Sequence, residues 1–201
     1  MTIIGITGPS GAGKTSALRA AEKLGALVID CDKLYHELLE RGGDMMSELS
    51  ARFPGAICSG ALDRRALGAI VFSDKAALED LSAITHKYVI AEANSIISGF
   101  AAKGGTLAAI DAIALLESGM GEMCDYTIGV LAPADTRIKR ITERDSISRE
   151  LAETRVLAQK GDEFYIRGCD YIITNDFNTP EEFERHCEEA LKGILGGKGH
   201  E

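Results

Sequence analysis

The stretch "ITGPSGAGKTSALRAAEKLG", from Ile6 to Gly25, decides the fold of this 201-residue chain. Within it, Gly8–Thr15 matches the pattern G-x-x-x-x-G-K-[ST] of a phosphate-binding loop. An apolar run precedes the loop and a helical pattern follows it, which is the context that such a loop requires. A glycine-rich turn without a ligand is the alternative, and the flanking strand and helix patterns make it the weaker one.

The loop pattern also predicts which atoms hold the phosphates. Glycines allow left-handed backbone conformations, so that successive N–H groups can point at phosphate oxygens. The helix that starts at Lys14 adds its positive dipole end. Lys14 is expected to neutralise the terminal phosphates and Thr15 to bind Mg²⁺. The predicted nucleotide site comprises Gly11, Ala12, Gly13, Lys14, Thr15 and Ser16.

Short apolar runs alternate with helical segments along the rest of the chain. Five runs predict buried strands, at 2–7, 26–30, 106–112, 126–132 and 170–174. Strands alternating with helices predict an α/β fold, a doubly wound five-stranded parallel sheet covered on both faces as a three-layer sandwich.

Two stretches differ from a simple crossover helix: one is much longer, and the other begins with a strongly basic helix. Residues 31–105 predict an inserted helical subdomain, which we assign to the second substrate. Residues 134–168 begin with a basic helix that leads into a flap, and we expect a lid there. After Thr179 the chain predicts a last amphipathic helix, with Pro180 at its first position.

Composition excludes several classes of protein. The net charge of −9 disfavours a general nucleic-acid binder, and the apolar runs are too short to span a membrane. Five cysteines without a C-x-x-C pair argue against a disulfide framework or a zinc site. The opening "MTIIGIT" is typical of a core strand and not of a targeting segment, so we expect a cytoplasmic protein.

Cations concentrate between residues 137 and 167 of this acidic chain, either as solvated helix faces or as a phosphate-binding surface.

Three carboxylates are candidates for the chemistry. Asp30 and Asp32 follow the second strand, where a carboxylate can accept a hydroxyl proton, although Asp32 could instead cap the next helix. Asp111 closes the third strand, where it could support Mg²⁺ or belong to a turn.

These residues resemble the dephospho-CoA kinase family of P-loop kinases, which phosphorylate the ribose 3′-hydroxyl of dephospho-CoA with ATP in the last step of coenzyme A synthesis. Four blocks carry the resemblance over nearly the whole chain. They are "GITGPSGAGKTSA" at the start, "LGALVIDCDKLYHELLE" at 24–40, "GALDRRALGAIVFSD" at 60–74 and "RIKRITERDSISRELAETRVLAQ" at 137–159.

The resemblance implies roles for individual residues. Asp32 would be the base for the 3′-hydroxyl, with Lys14 and Arg140 as further catalytic groups. Thr15 and Asp111 would hold Mg²⁺, while Arg144 and Asn175 would contact ATP. Further members of the lid and of the acceptor side would be Arg149, Arg155 and the block Leu62-Asp63-Arg64-Arg65. The substrate would be dephospho-CoA, and the protein a monomer or a weak homo-oligomer.

Two departures from the family pattern accompany the resemblance. His86-Lys87 stands where the family usually has His-Pro, and Ile113-Ala114-Leu115-Leu116-Glu117 where it has V-P-L-L-[FV]-E. His86 is then either a substrate contact or a structural residue. Two alternatives to the family function stay open: another P-loop nucleoside or nucleotide kinase, and an ATP-binding regulator without transfer activity.

Overall fold

The computed structural model of the protein describes residues 1–58 and 60–197. The chain forms two compact units. One, the sheet unit, comprises Met1–Ile29 and Phe100–Glu201. The other, the helical unit, comprises Asp30–Gly99.

The strands confirm the predicted α/β architecture. In chain order they are β1 (Thr2–Thr7), β2 (Leu27–Asp30), β3 (Ile57–Cys58), β4 (Ala61–Leu62), β5 (Leu107–Asp111), β6 (Tyr126–Leu131) and β7 (Tyr171–Thr174). The main sheet has the order β2-β5-β1-β6-β7, and the pairs β1–β5, β1–β6 and β6–β7 are parallel. All five predicted runs became strands of this sheet. The antiparallel β3–β4 hairpin was not predicted, because strands of two residues leave no readable alternation.

The helices occupy the connections between strands, except for the last one, which follows the final strand. They are α1 (Lys14–Lys23), α2 (Cys31–Arg41), α3 (Asp44–Arg52), α4 (Arg64–Ser73), α5 (Lys75–Ala102), α6 (Ala134–Asp145), α7 (Arg149–Leu157), α8 (Asp162–Gly168) and α9 (Pro180–Leu195). The longest, α5, has 28 residues. Within the described residues, no helix combines the length and the apolar character that crossing a membrane requires.

The core of the sheet unit is built around the central strands. Ile4 and Ile6 of β1 and Ile128 and Val130 of β6 are fully buried. Helices α1 and α9 pack on each other and on this face of the sheet, through small residues on α1 and large ones on α9. The buried residues of these two helices include Ala17, Ala20, Ala21, Phe183, Cys187 and Leu191. The phosphate-binding loop therefore joins a buried strand to a buried helix.

The last helix begins as its sequence predicts. The Thr179 hydroxyl accepts a hydrogen bond from the Glu182 amide, and the Glu182 carboxylate accepts one from the Thr179 amide. This capping box satisfies donors that a helix N-terminus leaves unpaired, and Pro180 occupies the first turn.

The helical unit contains α2 to α4, most of α5 and the β3–β4 hairpin. Its apolar core includes Leu38, Leu49, Phe53 and Ile84. At its surface, Arg41 pairs with Glu92 at 3.0 Å and Arg52 with Asp80 at 2.6 Å. These pairs tie α2 and α3 to α5.

Candidate active site

The phosphate-binding loop has the backbone that its glycines predict. Gly8 has φ of 146° and Gly13 has φ of 112°, both in the region that favours glycine. A Cβ atom on Gly8 would collide with the carbonyl oxygen of Val130, and one on Gly13 with the side-chain amide of Asn175. Both positions therefore need glycine for conformation and for space.

The loop also presents unpaired backbone donors. The amides of Gly11, Gly13, Lys14 and Thr15 have no hydrogen-bond acceptor among residues 1–58 and 60–197. They lie at and just before the start of α1, where the helix dipole is positive. Such a run of amides with left-handed glycines is an anion-binding arrangement. Ser16, also predicted to contact phosphate, is buried and its amide donates to the Gly13 carbonyl at 3.0 Å.

Lys14 is held at the loop by a neutral group. Its Nζ donates to the carbonyl oxygen of Gly8 at 3.2 Å. No carboxylate of the described residues lies within ion-pairing distance of Lys14. The charge of Lys14 is thus available to an anion in the loop, and its predicted contact with the terminal phosphates stays a prediction.

Two arginines of α6 reach the back of the loop. Arg137 is buried and donates from Nε to the Ser10 carbonyl at 3.0 Å, while Arg140 donates to the Gly11 carbonyl at 3.2 Å. Neither has a carboxylate partner within the part of the chain that the structure describes. Burial lowers the pKa of both guanidinium groups, which nevertheless stay protonated at neutral pH. Both charges are therefore partly desolvated. Asp162 attracts Arg137 electrostatically, but neither guanidinium forms a direct ion pair with a described carboxylate, a condition that a bound polyanion relieves.

Asn175 completes the support of the loop. Its Nδ2 donates to the Ala12 carbonyl at 2.8 Å, and its Oδ1 accepts from Arg140 Nη2 at 3.2 Å. Arg140 also donates to the carbonyl of Phe177 at 3.3 Å. The structure thus brings Arg140 and Asn175 together behind the loop, in contact with its carbonyl groups. The predicted catalytic role of Arg140 and the predicted adenine contact of Asn175 stay predictions.

Arg144 differs from the two buried arginines. It is exposed and pairs with Asp145 at 2.7 Å, which also binds Arg155 at 2.6 Å. The hydrogen bond to Asp145 raises the pKa of Arg144, and the two arginines lower the pKa of Asp145. Arg144 Nη2 also donates to the Ser10 hydroxyl at 3.3 Å. Arg144 is therefore adjacent to the loop, with part of its charge balanced.

The predicted metal ligands come from two elements of the sheet unit. Asp111 ends β5, which pairs with β1 in the register Ile6–Asp111, and Thr15 lies in the first turn of α1 with an exposed side chain. The described residues contain no cluster of three His, Cys, Asp or Glu side chains that could hold a metal. One hydroxyl and one carboxylate fit Mg²⁺, which takes few protein ligands and retains waters and phosphate oxygens.

The two acidic residues after β2 have different environments. The Asp30 carboxylate accepts a hydrogen bond from the Lys33 amide at 2.9 Å and is the N-cap of α2. Asp32 lies in the first turn of α2 and is exposed. Its carboxylate has no hydrogen-bond partner among the described residues. The interpretation of Asp32 as a helix cap is therefore wrong, because Asp30 occupies that position. The proposed role of Asp32 as a base stays a prediction.

The segment that lacks the family's proline is nevertheless anchored. The Thr7 hydroxyl donates to the Ile113 carbonyl at 3.3 Å, and the amides of Glu117 and Ser118 both donate to the Ala114 carbonyl. Leu115 is fully buried. Alanine at 114 thus sits in a hydrogen-bonded turn without needing the fixed φ of proline.

The other departure from the family pattern, Lys87 in place of proline, belongs to a small polar cluster in the helical unit. Lys87 pairs with Glu48 at 2.5 Å, and the Tyr88 hydroxyl donates to the same carboxylate at 2.9 Å. These two contacts lower the pKa of Glu48. The neighbouring His86 is half-buried, and burial lowers its pKa. Lys87 therefore has a structural partner, and the neutral form of His86 is favoured.

Sequence reasoning missed two residues that contact the loop. Arg137 was counted among the basic residues but was not assigned to the site, although it is the one most deeply buried against Ser10. Gln159 accepts a hydrogen bond from the Ser10 amide at 2.9 Å. Only its place at the end of the block 137–159 could have drawn attention to it.

Comparison with known proteins agrees with this site. The sequence profile of the dephospho-CoA kinase family matches residues 2–181. A dephospho-CoA kinase of Geobacter sulfurreducens is 37% identical over 192 residues, which are 94% of this chain and 96% of the relative.

Solved structures agree as well. A crystal structure of a Thermus thermophilus protein superposes with a TM-score of 0.76 at 30% identity, covering 99% of this chain and 98% of the other. The dephospho-CoA kinase of Campylobacter jejuni has a TM-score of 0.68 at 26% identity, with 98% of both chains covered. Together with the phosphate-binding loop and the cations behind it, these matches show that the chain belongs to the dephospho-CoA kinase family.

Proposed function

We propose that this protein transfers the γ-phosphoryl group of ATP to the ribose 3′-hydroxyl of dephospho-CoA, which gives coenzyme A and ADP. The observation that carries the ATP half of the reaction is a set of cations at the loop that form no direct ion pair with a described carboxylate. Lys14, Arg137 and Arg140 contact only neutral oxygens in a chain whose net charge is −9. With four unpaired amides beside them, they offer a polyanion both charge and hydrogen bonds.

The transfer is an in-line displacement. The 3′-oxygen forms a bond to the γ-phosphorus as the bond from that phosphorus to the β–γ bridging oxygen breaks, and ADP leaves. The hydroxyl proton passes to the Asp32 carboxylate and then to water. Asp32 suits this role because its carboxylate is exposed and bound to no other described group. Lys14 and the loop amides stabilise the negative charge on the phosphates.

Mg²⁺ would be held by the Thr15 hydroxyl and the Asp111 carboxylate. The ion would offset the negative charge of the transferring phosphates. Both side chains supply hard oxygen donors. Thr15 lies in the first turn of α1, directly after the phosphate-binding loop, and Asp111 ends β5, which pairs with β1.

Different segments are assigned to the two substrates. We assign residues 31–105 to dephospho-CoA binding and residues 134–168 to a lid that excludes water when it closes over the triphosphate. The lid assignment is supported by the small core that α6 and α7 share, made of Ile138, Ile141 and Ala152. Helices α6 and α7 thus form one packed hairpin.

We also expect the protein to act in the cytoplasm, as a monomer or a weak homo-oligomer. None of the five cysteines, all of which lie in the described part of the chain, forms a disulfide, as is usual in a reducing compartment. Burial raises the pKa of Cys124 and of Cys187 to about 12, so these thiols are unreactive at neutral pH.

A coupled assay of ADP release tests the function. Dephospho-CoA is expected to support turnover with Mg-ATP, and adenosine, AMP and shikimate to support little. Turnover with one of the latter instead would favour another P-loop kinase. ATP binding without turnover on any acceptor would favour a nucleotide-binding regulator.

Arg64 offers a test of the acceptor side. It lies in the first turn of α4, and its Nη2 is 3.2 Å from Nδ1 of His36. No described carboxylate pairs with it. If Arg64 binds a phosphate of dephospho-CoA, Arg64→Met should raise the KM for dephospho-CoA about tenfold through the loss of a charge-assisted hydrogen bond. The KM for ATP should not change.

Lys75→Met is the matched control, because Lys75 is an exposed lysine of the same unit paired with Glu79. It should leave both KM values unchanged. An unchanged KM for dephospho-CoA in Arg64→Met would remove Arg64 from the acceptor site.

A further inference from the structure

Gln159 connects the end of the α6–α7 hairpin to the phosphate-binding loop. It follows α7 by two residues, and its Oε1 accepts hydrogen bonds from the Ser10 amide at 2.9 Å and from Arg137 Nη2 at 2.8 Å. Arg137 Nε in turn donates to the Ser10 carbonyl at 3.0 Å. Both peptide groups of Ser10 are thus fixed by a single closed network.

The network explains how a charged group without an anionic partner can be kept in place. Arg137 is 4% exposed, and it donates hydrogen bonds to two neutral oxygens, the Ser10 carbonyl and Gln159 Oε1. A carboxylate at residue 159 would orient it equally well but would cancel its charge. An amide oxygen orients the guanidinium and leaves the positive charge effective at the loop.

We propose that Gln159 is a positioning residue for nucleotide binding, which holds Ser10 and Arg137 in the geometry that receives the phosphates of the nucleotide. It acts through these two residues and makes no contact with substrate itself. Because α6 and α7 share a core, the same contact fixes the hairpin to the loop. The inference rests on the proposed function only for the identity of the nucleotide as ATP.

Gln159→Met is the direct test, since methionine has a similar length and no comparable acceptor. Loss of the two hydrogen bonds should raise the Kd and the KM for Mg-ATP about tenfold. The value of kcat and the KM for dephospho-CoA should change little, because the interaction is made before and during transfer alike. Hydrogen exchange of the Ser10 amide in the nucleotide-free protein should accelerate.

Thr154→Met is the matched control. Thr154 is exposed on α7, and its hydroxyl donates only to the Glu150 carbonyl of the same helix. The control places the same new side chain on the helix that precedes Gln159, without touching the loop. In this variant, the Kd for Mg-ATP and the hydrogen-exchange rate of the Ser10 amide should match those of the unmodified protein.

Gln159→Glu separates geometry from charge. Glutamate retains both hydrogen bonds, so the Ser10 amide should stay protected, while the Kd for Mg-ATP rises because the charge of Arg137 is cancelled. If Gln159 had only a general structural role, Gln159→Met would have a lower kcat and a smaller folded fraction, but an unchanged Kd for Mg-ATP. That result would overturn the proposal. So would unchanged Kd and exchange in Gln159→Met.

The test is independent of the acceptor. If the unmodified protein binds Mg-ATP but does not phosphorylate dephospho-CoA, the proposed function fails, while the Kd comparison still decides the role of Gln159.

Discussion

Asp32→Asn is expected to lower kcat about a thousandfold, within the range typical of general acid–base groups. The amide keeps the shape of the side chain but cannot take the hydroxyl proton. Because Asp32 is exposed and does not cap α2, the fold and the affinity for Mg-ATP should be unaffected. The measurements are kcat from ADP release and Kd from calorimetric titration.

Asp30→Asn is the matched control for this experiment. Asn and Asp cap helices about equally well, so the contact to the Lys33 amide and the stability of α2 should survive. Near-normal turnover is expected. A large loss in Asp30→Asn with full activity in Asp32→Asn would transfer the role of the base to Asp30.

Lys14→Met is expected to lower kcat/KM for ATP roughly a thousandfold, since the variant loses a positioned cation at the transferring phosphoryl group. The protein without nucleotide should be no less stable, because the lysine charge has no anionic partner among the described residues. Thermal unfolding should therefore show an unchanged or higher midpoint without nucleotide. The increase in that midpoint with Mg-ATP should largely disappear.

Lys23→Met is a suitable control on the same helix. Lys23 pairs with Glu184 of α9 at 2.6 Å, away from the loop. Its loss should leave kcat/KM unchanged. If Lys14→Met kept the stabilisation by Mg-ATP and normal turnover, Lys14 would have no part in phosphate binding.

The sheet and the loop could be predicted because their signals are local. The five strands appear as apolar runs, and Gly8–Thr15 carries its backbone requirements in its own residue types. The capping box at Thr179 and Glu182 is likewise readable over four positions. Each of these features depends on residues that are close in sequence.

The support of the loop could not be predicted in the same way. The contact between Ser10 and Gln159 joins residues 149 positions apart, and that between Ala12 and Asn175 joins residues 163 apart. No spacing rule covers such distances. The alternative in which Asp32 caps the next helix was wrong for another reason: Asp30 is both the last residue of β2 and the N-cap of α2, so the helix starts without a linker.

The packing of α9 on α1 has a consequence for the order of events during synthesis. The buried alanines of α1 are synthesised well before Phe183, Cys187 and Leu191 of α9, which cover them in the folded sheet unit. At usual translation rates the two are separated by roughly 10–30 s. The nascent chain thus exposes an apolar helix face throughout this interval, where a chaperone can bind it.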